Sequence, residues 1–382
     1  MTTKTDRPFT SRELERYSRH LVLPGFGEAG QKKLRDSSVL IVGAGGLGTP
    51  AAIYLAAAGV GRIGLIDFDT VQASNLSRQI LFKEADIGGS KVRVAKARLK
   101  EVNPLVDVRV YESKLDSSNA MRIFGDYDLI LDGADNFPAR YLINDACALL
   151  GKPDVYASVF QFDGQVSVFF AKEGPCYRCL YPQPPPPDSV PSCDEGGVLG
   201  VLPGILGTIQ AGEAISLLLG KGPGFVGRLL LINGLDMVFT EIKFKKDPDC
   251  PVCGTHPRIT GLIDYEAFCN AGRAPSSESI PGIKPITLKR QMGGSDIILL
   301  DVREPSEYDI CHINGSKLIP LGQLAERFEE VDRSKTIVVY CHTGRRSADA
   351  TKFLTSKGFK AKNLSGGIDA WAEQVEPKMP RY

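Results

Sequence analysis

The sequence predicts an α/β protein: a doubly wound, Rossmann-like nucleotide-binding fold, followed by a smaller α/β domain. Three observations lead there. Apolar, β-branched runs alternate with segments of helical composition from Val39 to Leu150, the pattern of a mostly parallel sheet. A glycine-rich loop joins the first such run to the first helix. Two Cys-x-x-Cys pairs close this part of the chain, and a second strand–helix alternation follows nearer the C-terminus.

Bulk properties narrow the partners. The chain has 382 residues, enough for two or three domains. Its 46 Lys+Arg balance 45 Asp+Glu to a net charge of +1, which gives no reason to expect nucleic acid as a partner. The start, MTTKTDRPFTSRELERYSRH, lacks the apolar core of a signal peptide, and no apolar run reaches the roughly 18 residues of a spanning helix. A cytoplasmic protein without a membrane partner is therefore expected. In that reducing compartment nine cysteines read as metal ligands or reactive thiols rather than disulfides.

Taken in order, Ser11–His20 reads as a charged helix and Gln31–Arg35 as a turn before the first strand. VLIVG is a buried strand, AGGLGTPAAIYLAAAGVG opens a helix, and RIGLIDFD is a second buried strand. KVRVAKARLKEVNP is an amphipathic helix ended by proline, and VDVRVYES, YDLILDGADN and the helix Tyr141–Leu150 continue the alternation. QVSVFF and RLLLIN are strands flanking the helix IQAGEAISLLLG. The tract PQPPPPDSVP admits neither helix nor central strand and reads as an exposed, stiff crossing. The composition shift at AGRAPSSESIPGIKP marks a linker. The expected domains are 1–255, a linker over 256–284, and 285–382.

Gly43, Gly45, Gly46 and Gly48 follow a strand and open a helix, where glycine lets the backbone approach a phosphate that the helix N-terminus also favours. Asp67 ends the next strand, where a carboxylate can hold ribose hydroxyls. That much suits NAD as well as ATP. Arg78 and Lys91, soon after Asp67 and Asp69, add fixed cations suited to a triphosphate and to departing pyrophosphate, which favours ATP.

Cys176/Cys179 and Cys250/Cys253 share one spacing, and four thiolates in two such pairs suit a closed tetrahedral zinc site. Redox pairs or buried thiols are the alternatives. Cys193 sits in PSCDEGGVLG beyond the proline tract, either an incidental loop residue or a nucleophile near the activated acyl group. Cys147 reads as core, and Cys269 and Cys311 as incidental.

GAGGLG, DFDTVQASNLSRQ, GGSK and LDGADN together resemble the ubiquitin-activating-enzyme superfamily, specifically the molybdopterin-synthase and thiamine-pathway adenylyltransferases, over about residues 10–255. The resemblance implies that ATP and Mg²⁺ are bound by the glycine loop, Asp67, Asp69, the segment Ser74, Asn75, Leu76, Ser77 and Arg78, and by Lys91 and Asn136. It implies that Asp135 acts near the metal and the reacting phosphate, that Arg19 in ERYSRH reaches the ATP of a partner subunit in a homodimer, and that the zinc is structural. Ala134 stands where many members have Thr.

Near the C-terminus, Cys341-His342-Thr343-Gly344-Arg345-Arg346-Ser347 follows the strand TIVVY and precedes a helix, so amide groups curl around a thiol and stabilise an anion there. A cysteine phosphatase needs Arg after five intervening residues, the position of Ser347; Arg346 comes after four. That tighter loop, with DVREP, HINGS and SGGIDAW, resembles the rhodanese family over about residues 284–382. The resemblance implies Cys341 as persulfide carrier, with Arg303 and Arg346 as supporting charges.

Both halves together resemble fused adenylyltransferase–sulfurtransferases. The expected partners are a small ubiquitin-like sulfur-carrier protein ending in Gly-Gly and a sulfur donor such as a cysteine desulfurase or thiosulfate. Rival readings are activation of a ubiquitin-like protein for conjugation, an NAD-dependent oxidoreductase with a sulfurtransferase appendage, and a non-catalytic scaffold for ubiquitin-like partners.

Overall fold

The computed structural model describes residues 7–186, 196–222, 224–270, 280–292 and 296–382. The chain forms two compact units, Met1–Arg273 and Ala274–Tyr382.

The first unit is built on eight strands: β1 (Ser38–Val42), β2 (Arg62–Ile66), β3 (Asp107–Tyr111), β4 (Leu129–Asp132), β5 (Asp154–Phe160), β6 (Asp163–Phe169), β7 (Arg228–Asn233) and β8 (Val238–Lys243). Their order in the sheet is β3-β2-β1-β4-β5-β6-β7-β8. Pairing is parallel from β3 to β5 and antiparallel from β5 to β8. β1 reads as an unbroken apolar run because both faces of the sheet are covered. Val39 and Ile41 pack into one core with Ile63, Leu65 and Leu131, whereas Leu40 and Val42 pack into the opposite core with Ile66 and Ile130.

Some helices differ from their sequence reading. The N-terminal helix is two, Ser11–Arg16 and Ser18–Leu21, interrupted at Tyr17, whose buried hydroxyl accepts a hydrogen bond from Asn103 Nδ2. The expected turn at Gln31–Arg35 is the second half of a helix, Gly27–Arg35, because Gln31 buries its amide and donates to Ala58 O. Asn136 caps a helix that begins at Phe137, not Tyr141, by accepting from Ala139 N. The helix Val201–Leu219 is longer than the sequence suggested and is apolar enough by length and composition to cross a bilayer. It packs instead on the helix Gly48–Ala58 and on β5 and β6, and Gln210 donates to the Asp132 and Val155 carbonyls.

The stretch 256–284, expected as a linker, begins as part of the first unit. Tyr265–Cys269 is a short helix capped by Asp264, and Tyr265 is buried against the helix Phe137–Leu150. One buried hydroxyl partner overrides the loop-like composition around it.

The second unit is a five-stranded parallel sheet of β9 (Gly282–Ile283), β10 (Ile297–Asp301), β11 (Lys317–Leu318), β12 (Thr336–Tyr340) and β13 (Lys360–Leu364), in the order β11-β10-β12-β13-β9. Trp371 is buried in its core, as is Cys311. Cys147 lies in a core of the first unit, as expected, and Cys269, expected to be incidental, packs in the same core.

Candidate functional site

In the first unit the chain leaves β1 for β2 and β3 on one side and later returns to β4 on the other. The carboxyl ends of β1 and β4 therefore diverge, and in open α/β sheets that point is where ligands bind. A cavity of about 820 Å³ opens there. Gly43 has φ +90°, and a Cβ on it would lie 2.8 Å from Gly133 O; a Cβ on Gly48 would lie 2.0 Å from Gly43 O. The loop closes only because both side chains are absent. Asp67 shapes it further, its carboxylate accepting from Ala44 N at 2.8 Å and from Asp69 N at 2.8 Å.

The cavity gathers Gly43, Gly45, Gly46, Asp67, Asp69, Arg78, Lys91, Asp135 and Asn136 from the sequence-derived set. Lys91 is buried and its ammonium lies 2.9 Å from Asp69 Oδ2. Asp69 also accepts Lys91 N through its backbone, so the turn between them is fixed twice. Ser74, Asn75, Leu76 and Ser77 do not line the cavity but form the turn that presents Arg78. Ser74 O accepts from Arg78 Nη1 at 3.0 Å, and Asn75 Oδ1 accepts from Gln72 N. Gly48 lies behind the loop. Arg19 is exposed on Ser18–Leu21, away from the cavity of its own chain.

Asp132, one turn of loop before Asp135, accepts from Ala134 N at 2.7 Å. Burial pushes its carboxyl up to about 6, against the pull of the Arg140 charge. Sequence reasoning passed over several lining residues: Phe68, Gln79, Lys114 to Ser118, and Leu262 to Glu266. Only Phe68 and Gln79 sat in recognised motifs. The others come together through the tertiary fold, which spacing along the chain does not show.

Cys176, Cys179, Cys250 and Cys253 converge, with all four sulfurs within 4.8 Å of one another. The closest pairs are 3.4, 3.5 and 3.9 Å apart. A tetrahedron with metal–sulfur bonds of about 2.3 Å has edges of about 3.8 Å, so the donor set fits a closed four-thiolate metal site. Cys193 lies outside the described residues.

In the second unit Cys341 is fully buried at the end of β12. Gly344 N points at its sulfur at 3.2 Å and the Ser347 hydroxyl at 3.4 Å. Gly344, at φ +94°, bends the loop into the helix Arg345–Ser356. SGGIDAW clamps the loop from below: Ile368 N donates to Cys341 O, Asp369 N to His342 O, and a Cβ on Gly367 would strike His342 O at 2.2 Å. Arg346 lays its two terminal nitrogens on Glu307 at 2.6 and 2.7 Å. Arg303 is buried against Asp301 at 2.6 Å and also donates to Tyr382. Carboxylates thus neutralise both arginines that were assigned as support for the thiol. Facing the sulfur are the Gly344 amide and the Ser347 hydroxyl, two neutral donors. His342, its pKa lowered by burial, stacks on Tyr382 at 4.5 Å.

The ThiF family model matches residues 17–252, and the rhodanese-like domain model matches 284–374. The chain belongs to the ThiF family. Its ThiF domain holds the glycine-loop cavity and the four cysteines, and its rhodanese-like domain holds Cys341. Over 380 residues the chain is 46% identical to a probable adenylyltransferase/sulfurtransferase MoeZ of Mycobacterium tuberculosis, covering 97% of this chain and 95% of that one. It is 43% identical to the adenylyltransferase and sulfurtransferase MOCS3-1 of Drosophila pseudoobscura pseudoobscura, covering 98% and 86%. The crystal structure of E. coli MccB shares the fold at 22% identity and a TM-score of 0.58, over 65% of this chain and 75% of that chain. This ThiF–rhodanese chain is thus an enzyme of the adenylyltransferase/sulfurtransferase type, and it uses ATP.

Proposed function

We propose that the enzyme adenylates the C-terminal glycine of a small ubiquitin-like sulfur-carrier protein and converts it to a thiocarboxylate with sulfur carried on Cys341. The observation that carries this reading is the meeting of the glycine loop, Arg78, Lys91 and Asp135 at one cavity, in a chain that also buries a thiol under amide and hydroxyl donors. A carboxylate is already an anion and needs no base to attack the α-phosphorus. Charge stabilisation is what such a step needs, and Arg78, Lys91 and the loop amides supply it. Mg²⁺ held near Asp135 would add Lewis-acid stabilisation of the phosphate oxygens.

Attack expels pyrophosphate and leaves an acyl-adenylate. The outer sulfur of a Cys341 persulfide, loaded by a cysteine desulfurase or thiosulfate, then attacks the acyl carbon and expels AMP. A thiol cleaves the resulting acyl disulfide, leaving the thiocarboxylate and a disulfide on Cys341; Cys193 is our candidate for that thiol. The chemistry needs reduced thiols, so we place the protein in the cytoplasm, as a homodimer in which Arg19 reaches the partner's nucleotide. The test is pyrophosphate release from ATP with and without a carrier ending in Gly-Gly. Release that requires the carrier supports the reading, and NAD reduction without pyrophosphate overturns it.

We assign the carrier's docking to β8, an edge strand whose every residue is exposed, with Leu235, Met237, Val238, Phe239 and Ile242 showing apolar surface. Phe239→Asp is expected to raise the KM for the carrier about tenfold and leave that for ATP unchanged in steady-state assays.

We assign zinc to the four cysteines. One zinc per chain is expected by elemental analysis, and Cys250→Ser should lose it. A closed site of this kind contributes to folding directly, so the melting temperature should fall by roughly 10 °C.

A further inference from the structure

Between the first two metal-ligating cysteines stands Arg178, and its side chain turns inward. It is almost wholly buried, and its Nε and Nη2 meet the two oxygens of the buried Asp145 at 2.8 Å each. The guanidinium also lies against the rings of Tyr141 and Phe268, whose centres are 4.7 and 4.5 Å away and which meet each other edge to face. Asn144 adds a second tie, donating to Asp145 at 2.8 Å and accepting Tyr177 N at 2.7 Å. Asp145 then accepts one more bond, from the Tyr265 hydroxyl at 2.8 Å.

Tyr265 belongs to the segment Leu262–Glu266, which lines the nucleotide cavity. The other side-chain ties that hold this segment to the cavity's facing loop are exposed: Ser117 to Ile263 O, and Lys114 to Glu266. Water competes for exposed bonds but not for a buried one, so Tyr265 is the buried polar anchor of this wall, beside the apolar packing of Leu262, Ile263 and Phe268.

We infer that Arg178, Asp145 and Tyr265 form a positioning relay through which the cysteine knuckle sets the cavity wall, so that nucleotide affinity depends on the metal. A bound metal fixes the Cys176–Cys179 turn and with it Arg178. Arg178 neutralises Asp145, and a neutralised Asp145 keeps its place to accept Tyr265. If the turn relaxes, Asp145 is left as an uncompensated buried charge, which the surroundings relieve by moving. The inference rests on the reading of the cavity as an ATP site. None of the three residues is assigned to the chemistry.

The test compares the full-length wild type with Tyr265→Phe, each with its metal and after treatment with a zinc chelator that is dialysed away before Mg–ATP is titrated. Tyr265→Phe is expected to keep its full metal content and bind ATP about tenfold more weakly, the loss of one buried bond to a charged acceptor. Chelation should weaken the wild type by a similar factor and the variant by less than about twofold more, the non-additivity of a shared route. Hydrogen exchange of the Tyr265–Cys269 amides should rise on chelation of the wild type while β1 stays protected. Unchanged ATP binding by Tyr265→Phe, or equal weakening of both proteins by chelation, overturns the relay. So does exchange that rises in β1 as well, since that is unfolding of the whole unit. A wild type that binds no ATP overturns the reading of the cavity instead, and the exchange measurement, which needs no nucleotide, still decides the relay.

Discussion

Cys341→Ala should leave carrier-dependent ATP–pyrophosphate exchange within about twofold of the wild type and abolish thiocarboxylate formation, because under the proposed function this thiol is the covalent carrier of the sulfur. Cys341 is the sulfur atom at which the loop is aimed, with Gly344 N at 3.2 Å and the Ser347 hydroxyl at 3.4 Å. Alanine removes one buried atom from a core that also holds Val339, Ala350 and Leu354, a packing loss of about 1 kcal/mol that the domain should survive. The cavity of the ThiF domain contains no residue from this loop, so the first half-reaction keeps all its parts. Mass spectrometry of the carrier measures the loss: a thiocarboxylate adds one sulfur in place of one oxygen, and the variant should show none. Loss of exchange as well would contradict the division of labour between the two domains.

Asp135→Ala should lower pyrophosphate exchange by at least about 100-fold, the cost of removing a group that, in the proposed function, organises charge at the transferring phosphate. Asp135 is exposed into the cavity, and its carboxylate accepts from the neighbouring Asn136 side chain at 3.1 Å. The fold does not lean on it: Asp132 holds the same loop through Ala134 N, and Asn136 caps the following helix. A drop in kcat without a drop in melting temperature is therefore expected. A variant with normal exchange would move the metal and the reacting phosphate elsewhere in the cavity.

Local chemistry made much of this legible in the sequence. The β1 run, the glycine loop and the helix after it obey rules that act within a few residues: apolar burial on both faces, and backbone geometry that only Gly43 and Gly48 permit. Equal spacing exposed the two cysteine pairs, and their sulfurs do meet. The departures arise where distant residues decide. Nothing near Tyr265 in the chain announces that its hydroxyl will find Asp145, so the segment read as linker. Glu307 and Asp301, which take up Arg346 and Arg303, are likewise brought in by the fold, and without them the two arginines read as supporting charges for the thiol. Charge counting along a chain does not reveal which charges are already matched.

The most direct measurement follows oxygen. A carrier whose C-terminal carboxylate is labelled with ¹⁸O is incubated with ATP, the enzyme and a sulfur donor, and the AMP is recovered. Attack of the carboxylate on the α-phosphorus, followed by sulfur attack on the acyl carbon, places one ¹⁸O in AMP and none in pyrophosphate. Unlabelled AMP, or ADP with labelled phosphate, would contradict activation of the carboxylate as an adenylate.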